Sequence, residues 1–453
     1  MYDLVVIGGG SAGYSAAMTA IEHNKKVCVI EKGPFGGLCI LKGCMPSKTL
    51  IHSARISEEI KNAHKYGINV SGKTTFDIPK LINRKNKIIQ GFANYRLQVL
   101  KKNRKDIDMV TGEAKFVSKD EVEVNGKIIK GKNFLISTGS RGFTPPIEDL
   151  IDIGFITSDE ALEMKTLPKS IVCLGGGPVS LEMAYYFHNM GVETTVIQRS
   201  KTLLNNNDED LGKSLEESLT KSGIKIYTDT SIRKFSKDDS LKVVDFDHKK
   251  KKVKIKAEEI LLAFGRIPNV DKLDLDKIGL KTDNKGVPTL NEYLQTSESH
   301  IYAAGDANGL LEVVNVAVEH GRIAAENMFG KKQKINYNKF PMAVFTHPEV
   351  AWIGVSEKEA KEKNLKVKIG KLNYEDLGKA ICYGEEDGFI KFIVEKKTNK
   401  ILGVSIIGHL ASDIIHEAVP LLYYNATLED LSEMQHIHPT FGEIYSYLVE
   451  EML

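Results

Sequence analysis

Cysteine is scarce in this chain. Five cysteines occur among 453 residues, and two of them, Cys39 and Cys44, stand five positions apart. So few cysteines exclude a small secreted scaffold that several disulfides hold together. We therefore expect a reducing, cytoplasmic compartment, where a close cysteine pair is redox-active or metal-binding by default.

Long apolar runs and an excess of charge of either sign are also absent. No stretch reaches the ~18–20 apolar residues that a membrane helix requires, and the apolar start at residues 2–7 is too short for a signal peptide. We expect no targeting segment and no membrane partner. The 62 basic and 60 acidic residues leave a net charge of +2, which predicts no nucleic-acid partner. The basic run at residues 248–252 is interpreted as a solvated hairpin tip between two short strands.

What the chain does contain is one pattern that occurs twice. A length of 453 residues predicts two to four domains. In each copy a short apolar strand runs into a glycine-rich turn and then into a helical pattern. The first strand lies at Leu4–Ile7, with a helix to about residue 22, and the second at residues 171–174, with a helix to about residue 189. Each copy is typical of a βαβ unit that begins a dinucleotide-binding domain.

The positions of these two copies predict four domain segments along the chain. We expect a first domain at residues 1–144, a second at 145–264, a return to the first at 265–334, and a separate C-terminal domain at 335–453. The predicted fold class is α/β, with two Rossmann-like dinucleotide-binding domains and a C-terminal α+β domain.

The first glycine turn has the residues that a dinucleotide requires. Gly8, Gly10 and Gly13 permit a tight turn and a close approach of the backbone to a pyrophosphate, and the helix start supplies N–H donors. Glu31, 23 positions after Gly8, is placed to accept the ribose hydroxyls. The alternative is a glycine turn that binds no ligand.

The second turn differs from the first. It retains Gly175 and Gly177, but Ser180 replaces the third glycine. The offset of 23 residues reaches Gln198 instead of an acid, and Arg199 follows. A guanidinium can pair with a 2′-phosphate that a carboxylate would repel, so the pattern favours NADP(H). The alternative is that Arg199 only faces solvent.

The pair Cys39 and Cys44 can close a disulfide in one short loop at the start of a helical stretch. The helix start and the nearby Lys42 and Lys48 are expected to lower the cysteine pKa below its usual ~8.5. A zinc site would need a second cysteine pair or matched histidines. The other cysteines supply no such pair, so we favour a redox role and predict no metal site.

A segment with two histidines precedes the C-terminal helical pattern. Thr440 and Glu443 match a capping box, which is a purely structural explanation for both residues. His436 and His438 could instead suggest a metal site. A histidine can also exchange protons with thiols near neutral pH, which would make it a general base.

These motifs together resemble the class I pyridine nucleotide–disulfide oxidoreductases, the class that contains dihydrolipoamide dehydrogenase, glutathione reductase and mercuric reductase. The motifs that carry the resemblance are, in chain order, Glu31, Gly36-Gly37, Cys39, Cys44, Pro46-Ser47-Lys48, the second glycine turn, Ala304-Gly305-Asp306 and His438-Pro439-Thr440. They span essentially the whole chain in the right order. The resemblance implies one FAD per subunit on the first copy, NAD(P)(H) on the second, and a homodimer that forms through the C-terminal domain.

The resemblance also implies the catalytic residues. Cys39 and Cys44 would form the redox disulfide. His438 would be the base, and Glu443 would orient it.

Further residues are implied for the cofactors. Asp306 would hydrogen-bond the FAD ribitol, and Lys48 and Glu182 would lie near the reactive edge of the flavin. The other cofactor-binding residues that the resemblance implies are Thr138, Gly139 and Gly265.

Within the class, Pro46-Ser47-Lys48 resembles dihydrolipoamide dehydrogenase more than glutathione reductase, and apolar Ile40 and Leu41 suit an uncharged lipoyl arm. The chain ends without the C-terminal cysteine pair of mercuric reductases and the larger thioredoxin reductases. Pro178 differs, because relatives often have an aromatic residue there at the nicotinamide pocket.

We therefore expect oxidation of dihydrolipoamide by NAD(P)⁺. Lipoamide or another small disulfide is the expected substrate, and a lipoyl-bearing protein or 2-oxo acid dehydrogenase complex is a candidate partner. One alternative is an NADPH-dependent reductase of low-molecular-weight disulfides. Another is a flavoprotein that serves only as a structural subunit of a lipoyl complex.

Overall fold

Twenty-two strands and fifteen α-helices make up the chain, and the computed structural model describes all of residues 1–453. The strands are β1 Leu4–Ile7, β2 Val27–Glu31, β3 Ile107–Thr111, β4 Ala114–Ser118, β5 Glu121–Val124, β6 Lys127–Lys130, β7 Phe134–Ile136, β8 Ser140–Gly142, β9 Ser170–Leu174, β10 Glu193–Ile197, β11 Lys225–Tyr227, β12 Thr230–Asp238, β13 Leu241–His248, β14 Lys251–Ala257, β15 Glu259–Leu262, β16 Arg266–Pro268, β17 Ile301–Ala303, β18 Met342–Val344, β19 Glu349–Gly354, β20 Val367–Asn373, β21 Phe389–Glu395 and β22 Ile401–Gly408.

The helices lie between groups of these strands and at the C-terminus. The α-helices are α1 Ser11–Glu22, α2 Gly37–Leu41, α3 Cys44–Asn62, α4 Ile78–Lys102, α5 Glu148–Ile153, α6 Ser158–Ala161, α7 Pro178–Asn189, α8 Glu209–Ser222, α9 Val314–Met328, α10 Glu357–Glu362, α11 Gly378–Tyr383, α12 Ala411–Ile414, α13 Ala418–Tyr424, α14 Leu428–Ser432 and α15 Ile444–Met452. The short 3₁₀ helices are Ala63–Tyr66, Leu275–Ile278, Gly305–Asn308, Tyr337–Lys339, Tyr374–Asp376, Ile415–Glu417 and Phe441–Glu443. None of the helices is both long enough and apolar enough to span a membrane.

The chain divides into two compact units. The first unit consists of Met1–Ser47, Ile82–Phe143 and Gly265–Ile335. The second consists of Lys48–Leu81, Thr144–Phe264 and Asn336–Leu453. The boundaries of the four domain segments given above stay a prediction.

The first unit is built on a parallel sheet with the strand order β3-β2-β1-β7-β17. The central strands β1 and β7 and the neighbouring β17 are continuous, fully buried apolar runs, as expected where both faces of a parallel sheet are covered. Helices α1 and α9 pack against each other, and α1 is rich in small residues, which allow a close approach. The strand order reverses between β1 and β7, and ligands of such sheets bind at the carboxyl ends of the strands at this point.

The second unit contains a parallel sheet with the corresponding order, β11-β10-β9-β15. An antiparallel sheet of β12, β13 and β14 accompanies it. The C-terminal part has an antiparallel sheet, β18-β19-β22-β21-β20, whose core includes residues of α13 and α15. These sheets confirm the predicted fold class.

Several local predictions are confirmed. The two predicted strands before the glycine turns are β1 and β9, and the helices after them end at Glu22 and Asn189 as expected. The basic run forms the predicted hairpin tip, where exposed Lys249 and Lys250 have φ angles of 49° and 65° between β13 and β14.

Candidate functional site

The first glycine turn connects β1 to α1. Gly10 precedes the helix, and no side chain caps the helix start, so its first N–H groups remain available to an anion. At Gly13 a Cβ would lie 1.9 Å from the carbonyl oxygen of Gly8, a contact that only glycine permits. The sequence therefore brings the helix directly against the turn.

Glu31 lies beside this turn at the end of β2. Its carboxylate accepts hydrogen bonds from the backbone N–H groups of Gly9, at 2.9 Å, and Gly33, at 3.2 Å. Thr138 and Gly139 follow β7, the strand next to β1. The Thr138 hydroxyl is buried without a hydrogen-bond partner, which is rare for a buried polar atom and indicates a ligand contact.

Asp306 lies in the short 3₁₀ helix after β17. Its carboxylate accepts a hydrogen bond of 2.6 Å from the Ser140 hydroxyl, which in turn accepts one of 2.7 Å from Arg266 Nε. Gly265 precedes Arg266, and its carbonyl accepts a hydrogen bond of 2.9 Å from Phe143 N. Ser140 and Arg266 were not predicted, and they hold the Asp306 carboxylate in place.

The two cysteines lie on different helices, Cys39 in α2 and Cys44 at the start of α3. The side chains of Cys39 and Cys44 share a hydrogen bond. This hydrogen bond and burial raise the pKa of Cys39, although Arg96 acts in the opposite direction. The expected lowering of the cysteine pKa is therefore wrong for Cys39, because the neighbouring thiol outweighs the cation.

Arg96 was missed by the sequence analysis, since it lies in α4 outside any motif. It donates a hydrogen bond of 3.0 Å to the carbonyl of Gly36, next to α2, and its guanidinium lies 4.7 Å from the centroid of the Tyr14 ring. Ile40 is buried in a small core with Ile89 and Ala93. The suggestion that Ile40 accommodates a lipoyl arm is therefore wrong, because its side chain is core.

The second glycine turn connects β9 to α7. Gly175 has a φ of +119°, and a Cβ there would lie 2.5 Å from the Ala263 carbonyl oxygen. Gly177 precedes α7, whose start also has no side-chain cap. The hydroxyl of Ser180 is fully buried and has no hydrogen-bond partner, as at Thr138 in the first unit.

Gln198 and Arg199 follow β10, next to this turn. Gln198 is buried, and its side chain lies so close to Gly176 that a Cβ there would be 2.9 Å from the Gln198 Cδ. Arg199 is exposed and makes no hydrogen bond or ion pair within the chain. Its guanidinium therefore remains available to an anion.

Lys48 and Glu182 form an ion pair in the second unit. Lys48 Nζ lies 2.9 Å and 2.8 Å from the two carboxylate oxygens of Glu182, which is buried in α7. Glu182 also accepts a hydrogen bond of 3.2 Å from Phe345 N, and Lys48 Nζ lies 4.5 Å from the centroid of the Phe345 ring. The structure thus brings together two residues that lie 134 positions apart.

His438 and Glu443 are also in contact. His438 Nδ1 lies 2.8 Å from one carboxylate oxygen of Glu443, and Thr440 N donates a hydrogen bond of 2.7 Å to the other. Burial raises the pKa of Glu443, but the hydrogen bonds from Thr440 and His438 outweigh it and hold this pKa below its usual value. Glu443 thus serves the capping interaction and the histidine at once.

His436 forms a second histidine–carboxylate pair. Its Nε2 lies 2.6 Å from Glu417 and its Nδ1 lies 2.6 Å from the Ser446 hydroxyl, so both ring nitrogens are engaged. His438, in contrast, has a side chain that is 73% exposed. The possible metal site at His436 and His438 therefore lacks a free nitrogen on His436.

Comparisons with known proteins match this geometry. Residues 2–321 match the model for pyridine nucleotide-disulphide oxidoreductases, and residues 340–448 match the dimerisation domain of the same family. The chain belongs to this family. Its members are FAD-dependent enzymes that use NAD(P)(H), and the chain carries their dimerisation domain.

The named relatives include enzymes of two different activities at similar sequence identity. A mercuric reductase from Bacillus cereus is 34% identical over 443 residues, which cover 98% of this chain and 70% of the relative. A dihydrolipoyl dehydrogenase from Chlamydia pneumoniae is 35% identical over 458 residues, with 98% and 95% coverage. A Cu(II) complex of the HOCl-induced flavoprotein disulfide reductase RclA from Escherichia coli matches with a TM-score of 0.88 and 25% identity, over 100% of this chain and 99% of the other. Overall identity therefore establishes the family and leaves the substrate open.

The first unit has the helix start and the side chains that suit binding of the family's FAD. The uncapped start of α1, the close contact at Gly13 and the unpartnered hydroxyl of Thr138 all lie at the sheet end where the strand order reverses. Glu31 and Asp306 are the acidic residues that would bind hydroxyl groups of the cofactor.

Proposed function

We propose that the protein transfers electrons from a dithiol to a nicotinamide cofactor, with dihydrolipoamide as the dithiol. The observation that carries the proposal is the hydrogen-bonded pair of thiols, Cys39 and Cys44, in a chain with two dinucleotide turns. Two sulfurs in such contact can form a disulfide with little backbone movement. When FAD is bound, it supplies a two-electron acceptor between this pair and the nicotinamide.

The two cysteines have different tasks. Cys44 is the first residue of α3, where the helix N-terminus stabilises a negative charge. We therefore assign the charged thiolate to Cys44 and the exchange with substrate to Cys39. After two-electron reduction, Cys39→Ser should retain a long-wavelength thiolate-to-flavin absorption band and Cys44→Ser should lose it. The reverse result would exchange the two assignments.

His438 is the residue that moves the substrate proton. A carboxylate can only accept, so the Nδ1 that faces Glu443 carries a hydrogen and Nε2 carries a lone pair. The exposed side chain presents this lone pair to an incoming thiol. Glu443 acts as a positioning residue, and its lowered pKa keeps it ionised.

The exchange runs in two substitutions at sulfur. His438 accepts the proton of one dihydrolipoamide thiol, and the resulting thiolate attacks Sγ of Cys39. The Cys39–Cys44 bond breaks, Cys44 leaves as a thiolate, and a mixed disulfide joins Cys39 to the substrate. The second substrate thiol then attacks the substrate sulfur of this bond. Lipoamide closes, Cys39 leaves with the proton of that thiol, and the cysteine pair has gained two electrons.

We further propose that each site is built by two chains of a homodimer. Cys39 and Cys44 belong to the first unit, and His438 belongs to the second, within the matched dimerisation domain. The exposure of His438 favours a task toward another chain. Closed two-fold dimers are also the commonest assembly of soluble proteins.

Coexpression of two inactive variants tests the shared site. Random assembly of Cys44→Ser chains with His438→Ala chains makes about half of the dimers mixed, and one of the two sites in each mixed dimer is intact. Activity should then recover to about a quarter of wild type. If base and disulfide belonged to one chain, no recovery would appear.

An NADPH-dependent reductase of small disulfides is the second candidate. The observation that favours it is the exposed Arg199 without a partner, beside Gln198 in place of an acid. A reductase runs the same sulfur exchange backwards.

Steady-state kinetics decide between the two candidates. Dihydrolipoamide oxidation with NAD⁺ and NADP⁺ should be compared with reduction of glutathione disulfide by NADH and NADPH. The first proposal requires the higher kcat/KM with dihydrolipoamide, and the second requires it with NADPH and a disulfide. A lipoylated protein domain in place of free dihydrolipoamide tests whether a lipoyl-bearing protein is the partner, because a docked partner should lower KM.

A further inference from the structure

Three side chains that no motif connects meet in the second unit. His347 lies between β18 and β19, Glu385 follows α11, and His409 follows β22. His347 Nε2 lies 2.9 Å from one oxygen of Glu385, and His409 Nδ1 lies 3.3 Å from the other. One atom from each of the three residues lies within 4.8 Å of the other two. We call these residues the His347–Glu385–His409 cluster.

Glu58 fixes the orientation of the His347 ring through the ring nitrogen that does not face Glu385. His347 Nδ1 lies 3.0 Å from Glu58, and the same Glu58 oxygen accepts a hydrogen bond of 2.7 Å from the Tyr185 hydroxyl. Both ring nitrogens face carboxylates, which only accept, so without a metal each nitrogen carries a hydrogen. A metal ion would replace the hydrogen on Nε2, while Glu58 keeps its hydrogen bond with Nδ1. This is the arrangement by which a carboxylate orients a metal-binding histidine.

His409 faces the other oxygen of Glu385. Arg55 Nη2 lies 2.8 Å from His409 Nδ1, and a guanidinium only donates, so Nδ1 carries a lone pair. That lone pair and a carboxylate oxygen of Glu385 then lie 3.3 Å apart with no hydrogen between them. Such a pair of facing acceptors is stabilised when a cation binds both.

We propose that the His347–Glu385–His409 cluster binds a divalent metal ion of the zinc class, with Glu58 and Tyr185 as positioning residues for His347. Two imidazole nitrogens and one carboxylate oxygen form a ligand set that zinc uses in sites with an open fourth position. Ligand atoms around a tetrahedral zinc lie roughly 3.3 Å apart. His347 Nε2 lies 2.9 Å from one oxygen of Glu385 and His409 Nδ1 lies 3.3 Å from the other, so a small movement of the carboxylate would bring one oxygen to both nitrogens.

The cluster is accessible to an ion. The side chains of His347, Glu385 and His409 are 20%, 23% and 12% exposed. Arg55 competes with the metal, because its guanidinium occupies the lone pair of His409 Nδ1. Arg55 Nε also lies 3.3 Å from Glu59, which remains as its partner when the metal displaces it. Arg55 therefore lowers the affinity of the site.

Zinc binding to the full-length, FAD-loaded protein tests the proposal. Both Cys39 and Cys44 are replaced by serine throughout, so that these thiols take up no zinc. Isothermal titration with Zn²⁺ should give one ion per chain, and Co²⁺ should give the visible absorption of a four-coordinate site. His409→Ala and Glu385→Gln should each lower the zinc affinity at least about tenfold. This readout does not use the sulfur chemistry, so it is independent of the proposed activity.

Two further variants distinguish a metal site from a network of hydrogen bonds. Glu58→Gln should weaken zinc binding about 10–100-fold, as expected for a residue that orients a ligand. Arg55→Gln should strengthen it about threefold to tenfold, because a competing cation is removed. The matched control is His436→Gln, which alters a histidine whose two nitrogens are already engaged and should leave zinc affinity unchanged.

Any one of three results would overturn the proposal. The first is the absence of a saturable zinc site, and the second is a zinc affinity that His409→Ala and Glu385→Gln both leave unchanged. The third is weaker zinc binding in Arg55→Gln. Thermal unfolding without metal checks that each variant folds. If His409→Ala does not fold, Glu385→Gln, which keeps the side-chain size, gives the same test.

Discussion

The two glycine turns of this chain start from the same geometry and end in different chemistry. Each turn follows the first strand of a parallel sheet with the same strand order, and each opens a helix without a side-chain cap. The first turn has Gly13 where the second has Ser180. The first also has Glu31 where the second has Gln198.

The second of these differences changes what each turn can bind. Glu31 is held by the backbone N–H groups of Gly9, in the turn, and of Gly33, and it offers a fixed negative charge, which suits hydroxyl groups. Gln198 is packed under the second turn, and the adjacent Arg199 offers a free positive charge, which suits a phosphate. The two turns therefore share a backbone geometry, and we propose that Glu31 in the first turn and Gln198 with Arg199 in the second select the nucleotide.

The largest effect is expected at Gly13. Gly13→Ala would place a Cβ 1.9 Å from the carbonyl oxygen of Gly8 and 2.8 Å from Val6, so that α1 must move away from β1. Overpacking of this kind costs about 1–3 kcal/mol or more. We expect loss of bound flavin and a lower melting temperature, measured by flavin absorbance per protein after desalting and by thermal unfolding.

Gly177→Ala, the same substitution at a glycine of the second turn, is the control. A Cβ at Gly177 meets no atom within 4 Å, and the backbone φ of −89° suits alanine. This variant should retain its flavin and its melting temperature. The comparison of the two turns would fail if both variants behaved alike.

The second prediction concerns Glu31, the acidic residue beside the first turn. Glu31→Gln leaves one acceptor oxygen for two backbone N–H groups and removes the charge, so we expect FAD affinity to fall about tenfold or more. Equilibrium dialysis against free FAD measures this change. Glu22→Gln, the same substitution at an exposed residue, is the control. An unchanged affinity in Glu31→Gln would remove Glu31 from the flavin site.

The third prediction concerns nucleotide choice in the second turn. Arg199→Ala should lower kcat/KM for NADPH about tenfold and leave the value for NADH nearly unchanged, because only NADPH carries the 2′-phosphate. Gln198→Glu should move the ratio in the same direction by repelling that phosphate. Diaphorase assays with both nucleotides measure the ratio. A clear NADH preference in the wild-type protein would contradict the expected role of Arg199.

Much of the fold was predictable because its signals are local. Buried parallel strands such as β1 and β9 are apolar runs that end in glycine, and α1 and α7 follow at once. The pairing of β8 with β16 gave no such signal, since it joins residues 126 positions apart. Sequence patterns locate elements, whereas tertiary structure decides which distant strands pair.

The same distinction applies to the candidate site. Cys39 with Cys44, and His438 with Glu443, lie within one short segment each, so their spacing reveals them. Arg96 contacts Gly36 from 60 positions away, and the histidines of the His347–Glu385–His409 cluster are 62 positions apart (409 − 347). Such residues have no local pattern. The pKa shift of Cys39 was also not predictable from the nearby lysines, because the hydrogen bond with Cys44 and burial raise this pKa.

The smallest effect is expected at Ser180, the second-turn counterpart of Gly13. Its hydroxyl is fully buried without a partner in the chain, a condition that normally costs stability. If the nicotinamide cofactor supplies the missing partner, Ser180→Ala should raise KM for the nucleotide about two- to tenfold, the value of one neutral hydrogen bond. The same variant should melt at an equal or slightly higher temperature without nucleotide, since an unsatisfied hydroxyl is removed. Steady-state kinetics and thermal unfolding, each with and without the nucleotide, separate the two contributions. A raised melting temperature with an unchanged KM would show that Ser180 only fills space where the first turn requires glycine, and the two turns would then differ in packing alone at this position.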